Sequence, residues 1–465
     1  MTEAVAFGGY YQNRVPKEDP EITHVGPGTP LGEYFRRFWL PVCMSSQLDG
    51  LPHKVRILGE DLVAFRDRQG RIGLLARHCC HRGASLEFGV IQERGIRCCY
   101  HGIHFDCDGT IIEVPPEKDR GENMRKRVAQ GAYPAFERDG LVFAYLGPPE
   151  EKPAFPECDA FEKYADTRLV PFSNVFPCNW LQVQENIADQ MHTAILHNPA
   201  CLYDGEIPPD LNLAPFTLPS FAKIPALDYL RLRNGTAMAF IAGRRTSDDL
   251  VWWRINECGL PCITHHAYLF EDGKERRLFH RVNMTRWHVP VDDTNTIIFG
   301  WRMFGSIVDP LNRGDETKVG WDSIDFLEGQ VGNRSYEEQR RLAGDWEAIV
   351  SQRPIAVHAL ENATSGDAGV YMFRRTVREA VTGKNPAASP AAMHERPAAG
   401  LPWHTYTQNT ILKIPKRPTE EEDNKIIREI GRRLVAITAD ADDLTGQERT
   451  DHVTAQIEAL EKEYS

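Results

Sequence analysis

No stretch of this 465-residue chain is apolar for long enough to cross a bilayer, which takes about 20 consecutive apolar residues. The opening residues, MTEAVAFGGYYQNR, lack the pattern of an export signal, so a cytoplasmic location is expected. Positive charge is also short. Against 66 Asp and Glu stand 54 Lys and Arg, a net charge of −12. This argues against a general nucleic-acid binder, whose footprint would be basic. It says little about a small substrate, which meets a local field. No internal repeat is present. The length gives a prior of about three domain-sized units, with ample material for a core.

Cysteine is what the chain has in an uneven pattern. Without an export signal, its eleven cysteines are expected as free thiols or metal ligands, not disulfides. Cys79, Cys80, Cys98, Cys99 and Cys107 crowd together, whereas Cys43, Cys158, Cys178, Cys201, Cys258 and Cys262 are scattered.

The rest of the chain divides by pattern. Residues 27–40 read as a turn and a short amphipathic helix, closing an N-terminal segment over 1–39 that packs on a later domain. From 40 to 150, short apolar runs such as HKVRILG, DLVAFRD and GLVFAYLG, cut by turn signals, predict a small antiparallel β domain. The Pro-rich GPPEEKPAFPE reads as a linker. A second domain over 151–380 combines a helical NWLQVQENIADQMHTAILH with alternating runs such as YLRLRNGTAMAFIAG and NTIIFGWRMF, which predict another antiparallel sheet. Residues 337–362 and 418–462 read as helical. Residues 383–400 read as an irregular Ala/Pro-rich arm, within a C-terminal helical extension over 381–465 expected as a solvated surface helix.

The crowded cysteines alternate with histidine. Cys79 and His81 form a C-x-H pair; Cys98 and His101 form C-x-x-H. Two soft thiolates and two imidazoles suit iron–sulfur or zinc chemistry. A Rieske cluster puts two Cys on one iron and two His on the other, which raises its potential to roughly −150 to +300 mV. Structural zinc more often uses C-x-x-C and H-x-x-x-H spacings. Cys80, Cys99 and Cys107 fall out of ligand register and read as small buried side chains; His78 and His104 read as local hydrogen-bonding residues. Glycines 83 and 102 beside the ligands let backbone approach the cluster.

A second constellation lies in QENIADQMHTAILH. His192 and His197, with one carboxylate, would make a facial triad on Fe(II) with positions left open for O2. Five residues span about 140° of a regular helix, so both can reach one metal only if the helix ends or distorts within 192–197. Asp189 lies one turn before His192 on the same face.

The stretch HCCHRGASLEFG…GIRCCYHGIHFDCDG resembles the Rieske domain of ring-hydroxylating oxygenases, with Cys80 where that family often has proline and Ile103-His104 where a tryptophan is usual. Glu185, Asn186, Asp189, His192 and His197 match the family's E-N-x-x-D-x-x-H-x-x-x-x-H. VGPGTPLGEYFRRFWLPV, RWHVPVDDTNTIIFGWR and the QRPI…SGDAGV…FRRTV run resemble its phthalate-dioxygenase-like branch, which includes aromatic O-demethylases. The likeness implies an α+β fold, with a mainly antiparallel β Rieske domain and a helix-on-antiparallel-sheet (helix-grip-like) catalytic domain. It implies a Rieske [2Fe–2S] cluster, a mononuclear non-haem Fe(II), O2, and NADH electrons through a flavin/iron–sulfur reductase, with a ferredoxin in some systems. It also implies a homotrimer. By this likeness Asp345 is the third iron ligand, with Asp367 as runner-up; a helix cap is the competing role for such an Asp. Asp189 would orient a histidine and bridge electrons to the iron from the neighbouring subunit's cluster.

For the substrate, the branch implies an aromatic compound, often carboxylated or methoxylated. Among Arg231, Arg233, Arg244, Arg245 and Arg254, the last has an apolar neighbourhood and is the expected carboxylate clamp. Trp252, on the same face by alternation, is either a ring platform or core. Oxidative O-demethylation of a methoxylated aromatic acid is favoured over cis-dihydroxylation. A pure electron-transfer Rieske protein is the remote alternative, against which the second metal motif speaks.

Overall fold

A Pro-led turn, Pro20–Thr23, and a capped helix, Pro30–Arg36, precede the first strand. Thr29 Oγ1 accepts from Gly32 N–H and Pro30 occupies the first turn of the helix Pro30–Arg36, both standard helix-starting chemistry. The computed structural model describes residues 6–117, 121–163, 166–198, 221, 223–327 and 329–465. Cys201 lies outside these residues. Among them, no helix is long and apolar enough to cross a membrane.

Three small antiparallel sheets follow. Strands β1 (Trp39–Met44), β2 (His53–Ile57), β3 (Glu60–Arg66) and β4 (Ile72–Ala76) precede the short strands β5 (Val90–Ile91), β6 (Ile96–Arg97), β7 (His104–Phe105) and β8 (Ile111–Glu113). Two longer ones, β9 (Ala135–Arg138) and β10 (Leu141–Tyr145), close the region. They pair in the orders β1-β10-β9, β2-β3-β4 and β5-β6-β7-β8. The four-stranded ladder carries both Cys/His loops at one end.

The second half is built on a large antiparallel sheet. Its strands are β11 (Arg168–Phe176), β12 (Ala226–Leu232), β13 (Ala237–Arg245), β14 (Leu250–Gly259), β15 (Ile263–Ala267), β16 (Arg277–His280), β17 (Val282–Asp292), β18 (Asn295–Phe304) and β19 (Gln408–Lys413). The order is β11-β18-β17-β15-β14-β13-β12, with β19 pairing β14 and β16. The helix Trp180–Ala188 lies across one face, where Gln184 Nε2 reaches Cys258 Sγ at 3.4 Å. The opposite face shares a core with the β1-β10-β9 sheet, through Phe143, Trp287 and Trp301 at ring separations of 5.1–5.8 Å. The architecture is α+β, as the family resemblance implies.

The N-terminal segment clasps the start of the Trp180–Ala188 helix. Trp180 is fully buried, edge-on to Phe35, and its Nε1–H donates to Ile22 O at 3.1 Å. Asn179 caps that helix and donates Nδ2–H to Thr23 O at 2.8 Å. Aromatic burial of this kind contributes about 1.5–3 kcal/mol.

Two expectations are corrected. The 383–400 arm contains a helix, Pro390–Ala398, because Ser389 Oγ accepts from Ala392 N–H and Pro390 sits at its first turn. The tail beyond 380 is not a solvated appendage. Ile427, Ile430 and Leu434 of helix Glu420–Asp440, with Val453, Ile457 and Leu460 of helix Gly446–Tyr464, bury against Ile241, Trp253 and Leu412. Between them and the preceding domain, β19 runs directly beside β14, with Ile411 opposite Trp252 and Asn409 opposite Arg254.

Candidate metal centres

The two Cys/His loops have the same backbone chemistry. Cys79 N–H donates to Ala84 O at 2.9 Å while its carbonyl accepts from Gly83 N–H at 2.8 Å. Cys98 repeats this with Ile103 O at 2.9 Å and Gly102 N–H at 3.0 Å. Each turn needs its glycine, since Gly83 and Gly102 have φ of 77° and 72°. Cys79 and Cys98 are both 3 % exposed, while the rings of His81 and His101 stand outward with centroids 4.7 Å apart. Two inward thiols facing two outward imidazoles match the donor set of a [2Fe–2S] centre with one Cys pair and one His pair. Burial pushes the Cys98 thiol above its ordinary value, so a bound cation is what would hold it as thiolate.

The neighbours are tied down locally. Gln130, which no sequence motif marks, accepts from Cys80 N–H at 2.7 Å and donates to Ala76 O and His78 O at 2.7 and 3.0 Å. Contrary to the expectation of buried side chains, Cys99 is exposed and Cys80 and Cys107 are half-buried; Cys107 Sγ donates to Asp67 at 3.6 Å. His78 Nδ1 bonds Gly83 O at 3.0 Å and His104 bonds Arg94 O.

The helix that carries the second motif breaks earlier than its spacing predicts. Trp180–Ala188 ends at Asp189, whose φ and ψ of −89° and 88° leave the helical region. Asp189 Oδ1 then accepts from Met191 N–H at 3.0 Å and His192 N–H at 3.3 Å, starting the single turn His192–Ile195. His197 lies beyond the end of that turn. The break therefore precedes His192, and the short helix also ends before His197, which together bring the two rings to 5.1 Å. Asp189 O accepts from His192 Nδ1–H, which leaves Nε2 free for a metal.

Asp345 is the first residue of the helix Asp345–Val350. The cap is made by Gly344, whose N–H donates to Glu347 at 2.8 Å, so the Asp345 carboxylate is not consumed by its own helix. Instead its Oδ1 lies 3.4 Å from His192 Nε2 and 3.2 Å from His197 Nε2. One ligand atom from each of the three lies within 4.8 Å of the others. Asn186 Nδ2–H donates to Asp345 Oδ1 at 3.0 Å, and Gln330 donates to Oδ2. Burial opposes charge on Asp345, but the His197 and His192 imidazoles hold its carboxyl well below the usual range. Against burial, Asp345 in turn raises His192. Two imidazoles and a buried carboxylate fit Fe(II) with sites left for other ligands. Asp367 does not join them: its Oδ2 accepts from Thr364 N–H and Oγ1 at 2.6 and 2.9 Å, in a capping box.

A cavity of about 30 Å³ opens beside the three residues, walled by Ile187, Thr193, Phe221, Phe326, Arg254 and Arg286. Of the five arginines marked in the sequence, Arg231, Arg233 and Arg245 are ion-paired to Glu379, Glu257 and Asp423. Arg244 donates to Thr193 Oγ1 at 2.7 Å. Arg254 faces the cavity. Trp252 packs behind Phe221 at 5.7 Å and donates Nε1–H to Asn409, so it backs the wall without lining it. Arg286 was not among the marked arginines; its signal, an arginine inside the apolar strand VNMTRWHVPV, is the same as that of Arg254.

Comparison with known proteins shows the family. The family described as "Rieske [2Fe-2S] domain" matches residues 38–132. The chain is 47% identical to the tert-butanol monooxygenase / tert-amyl alcohol desaturase oxygenase subunit of Aquincola tertiaricarbonis, over 99% of this chain and 97% of that protein. It is 34% identical to the phenoxybenzoate dioxygenase subunit alpha of Ectopseudomonas oleovorans, over 86% and 94%. It is 30% identical to the 5,5'-dehydrodivanillate O-demethylase oxygenase subunit of Sphingobium sp. (strain NBRC 103272 / SYK-6), over 85% and 88%. In fold it is similar to NdmB of Pseudomonas putida CBB5, with a TM-score of 0.54 and 20% identity over 82% of this chain and 98% of that one. At such identities, over nearly its whole length, the chain belongs to the Rieske non-haem iron oxygenases, as a terminal oxygenase subunit with a [2Fe–2S] cluster, a catalytic iron and O2 as co-substrate.

Proposed function

We propose that the chain hydroxylates a methyl carbon of a carboxylated aromatic substrate, and that its reaction is oxidative O-demethylation of a methoxylated aromatic acid. The observation that carries the reading is the convergence of His192, His197 and Asp345 on one point at the wall of a cavity. The 47%-identical relative is named for tert-butanol, whose carbons are all saturated, and another is named an O-demethylase. Both favour attack on an sp³ carbon over a ring. The phenoxybenzoate dioxygenase relative favours the second reading, cis-dihydroxylation of an aromatic ring.

The roles follow from position. Cys79, His81, Cys98 and His101 hold the cluster, and His192, His197 and Asp345 hold the iron. When bound, the cluster supplies single electrons and the iron supplies the place where O2 is reduced and a C–H bond oxidised. Asn186 and Gln330 fix the Asp345 carboxylate, and Asp189 fixes the ring and tautomer of His192. Arg254 orients the substrate carboxylate; Phe221 and Phe326 exclude water. The balance is one methyl ether, O2, NADH and a proton giving a hemiacetal, water and NAD+, the hemiacetal then releasing formaldehyde and the phenol.

Asp189 also lines a cleft of about 310 Å³ on the outer side of His192, together with Glu185, Asp367 and Arg374. We assign this cleft to a neighbouring copy's cluster in a homotrimer, with Asp189 as the bridge, and a flavin/iron–sulfur reductase as electron donor. Oxygen uptake with such a reductase and NADH tests the reaction on methoxybenzoates and phthalates. Formaldehyde released in step with O2 supports demethylation; a diol without formaldehyde overturns it.

A further inference from the structure

The floor of the iron cavity is one continuous sheet face, and it is cationic. Arg254 and Asn256 on β14, His266 on β15 and Arg286 on β17 all line the cavity. Register explains why: Glu257 pairs with His265 and Thr264 with Arg286, so alternation turns these four residues to the same side. Arg254 is 4 % exposed and Arg286 6 %.

Among the described residues neither guanidinium is hydrogen-bonded or ion-paired to an acid, and the carboxylate whose charge reaches both is Asp345. Among the described residues Arg254 makes no hydrogen bond or ion pair, and its Nε is buried without a partner. Its guanidinium stands 5.6 Å from the ring of Phe221. Arg286 donates Nε–H to Met284 Sδ at 3.2 Å and leaves Nη2 buried without a partner. Buried guanidinium groups are normally paired, because removing an unpaired charge from water is costly. Asp345 is the one acid among the described lining residues, and His192, His197, Asn186 and Gln330 already engage it. His266 cannot compensate, since burial and then Arg286 and Arg254 hold it neutral. Burial brings Arg254 down to about 9 and Arg286 to about 10, so both stay charged at neutral pH.

We propose that this floor is an anion site in which Arg254 and Arg286 together hold the substrate's carboxylate, so that uncharged molecules are excluded as substrates. The inference rests on the oxygenase reading for the identity of the occupant, and deepens it in two ways. It adds a second cation, and it makes the negative charge a requirement. It also separates this chain from its 47%-identical relative, whose named substrate, tert-butanol, is neutral.

The test is thermal melting and calorimetric titration of the holoenzyme with 3-methoxybenzoate, 3-methoxybenzamide and tert-butanol. The carboxylate is expected to bind saturably and raise Tm, and the other two to do neither. Arg254→Gln and Arg286→Gln should each weaken carboxylate binding at least fivefold. Without carboxylate each should melt at or above the parent, because an unpaired buried charge has been removed; a purely structural arginine would move Tm the other way. Should a glutamine variant fail to fold, the lysine variant replaces it, with the same fivefold loss expected because lysine lacks the planar fork. Equal binding of the amide, absence of carboxylate binding, or a loss under fivefold in both variants overturns the proposal. NADH-dependent oxidation of tert-butanol would overturn the anion requirement and leave the oxygenase reading standing. Carboxylate binding without O2 uptake on any substrate would do the reverse.

Discussion

Asp345 Oδ1 lies 3.2 Å from His197 Nε2, the one from the first residue of the helix Asp345–Val350 and the other from just past the turn His192–Ile195, so the two meet only in the folded chain. An anionic oxygen and an imidazole nitrogen so placed are either an ion pair or two ligands awaiting a cation. Replacement of Asp345 by Asn, or of His197 by Ala, is expected to lose the mononuclear iron while the cluster remains. Iron analysis beside the EPR signal of the reduced cluster checks this; loss of both centres together would count against separate sites.

Asp189 has two separable jobs. Its carboxylate caps the His192–Ile195 turn and its carbonyl holds His192 Nδ1–H. Asp189→Asn keeps a capping oxygen and the carbonyl, so both metals should stay bound while turnover with the reductase falls by at least a hundredfold. Asp189→Ala removes the cap as well and should also weaken iron binding. Full activity in the Asn variant would exclude the bridging role.

Gly83 isolates the backbone cost of the cluster loop. Its φ is 77°, yet an added Cβ would meet nothing within 4 Å. Gly83→Ala should therefore destabilise by about 1–2 kcal/mol through conformation alone. Denaturant titration, followed by the visible absorption of the cluster, reads this directly.

Glu185 gives a pH dependence. Burial pushes it up to about 7, although Arg374 opposes the shift, and the guanidinium is shared with Glu361. A carboxyl that holds its proton more tightly when folded makes the folded state bind more protons between its unfolded value near 4.5 and about 7. Stability should then fall as pH rises through that window, by about 3 kcal/mol at most. Urea unfolding at pH 5 and 7.5 should show this slope, and Glu185→Gln should flatten it.

The tail is expected to be indispensable. A chain ending at Trp403 lacks β19 and both final helices, exposing Trp253 and Ile241 and removing the Asn409 acceptor from Trp252 Nε1. Such a chain should be insoluble or unfold without cooperativity, whereas a detachable extension would leave the melting transition unchanged.

The sequence by itself determined the two metal constellations, because their chemistry is local. Cys79/His81 and Cys98/His101 sit in turns short enough for spacing to limit the geometry, and His192 and His197 are separated by a single short helical turn. The antiparallel strands were legible for the same reason, through alternation. Three things were settled only by the tertiary structure. The carboxylate of Asp345 is left to meet the histidines because Glu347, accepting from Gly344 N–H, closes the helix start instead, a division of labour invisible in AGDWEAI. The tail belongs to the sheet because β19 fills the edge of β14, a pairing between distant segments that no local pattern encodes. The paired arginines differ from Arg254 and Arg286 only in which acids the fold brings near them. Whether a charge is neutralised or left for a ligand depends on distance in space, and chain order does not carry that distance.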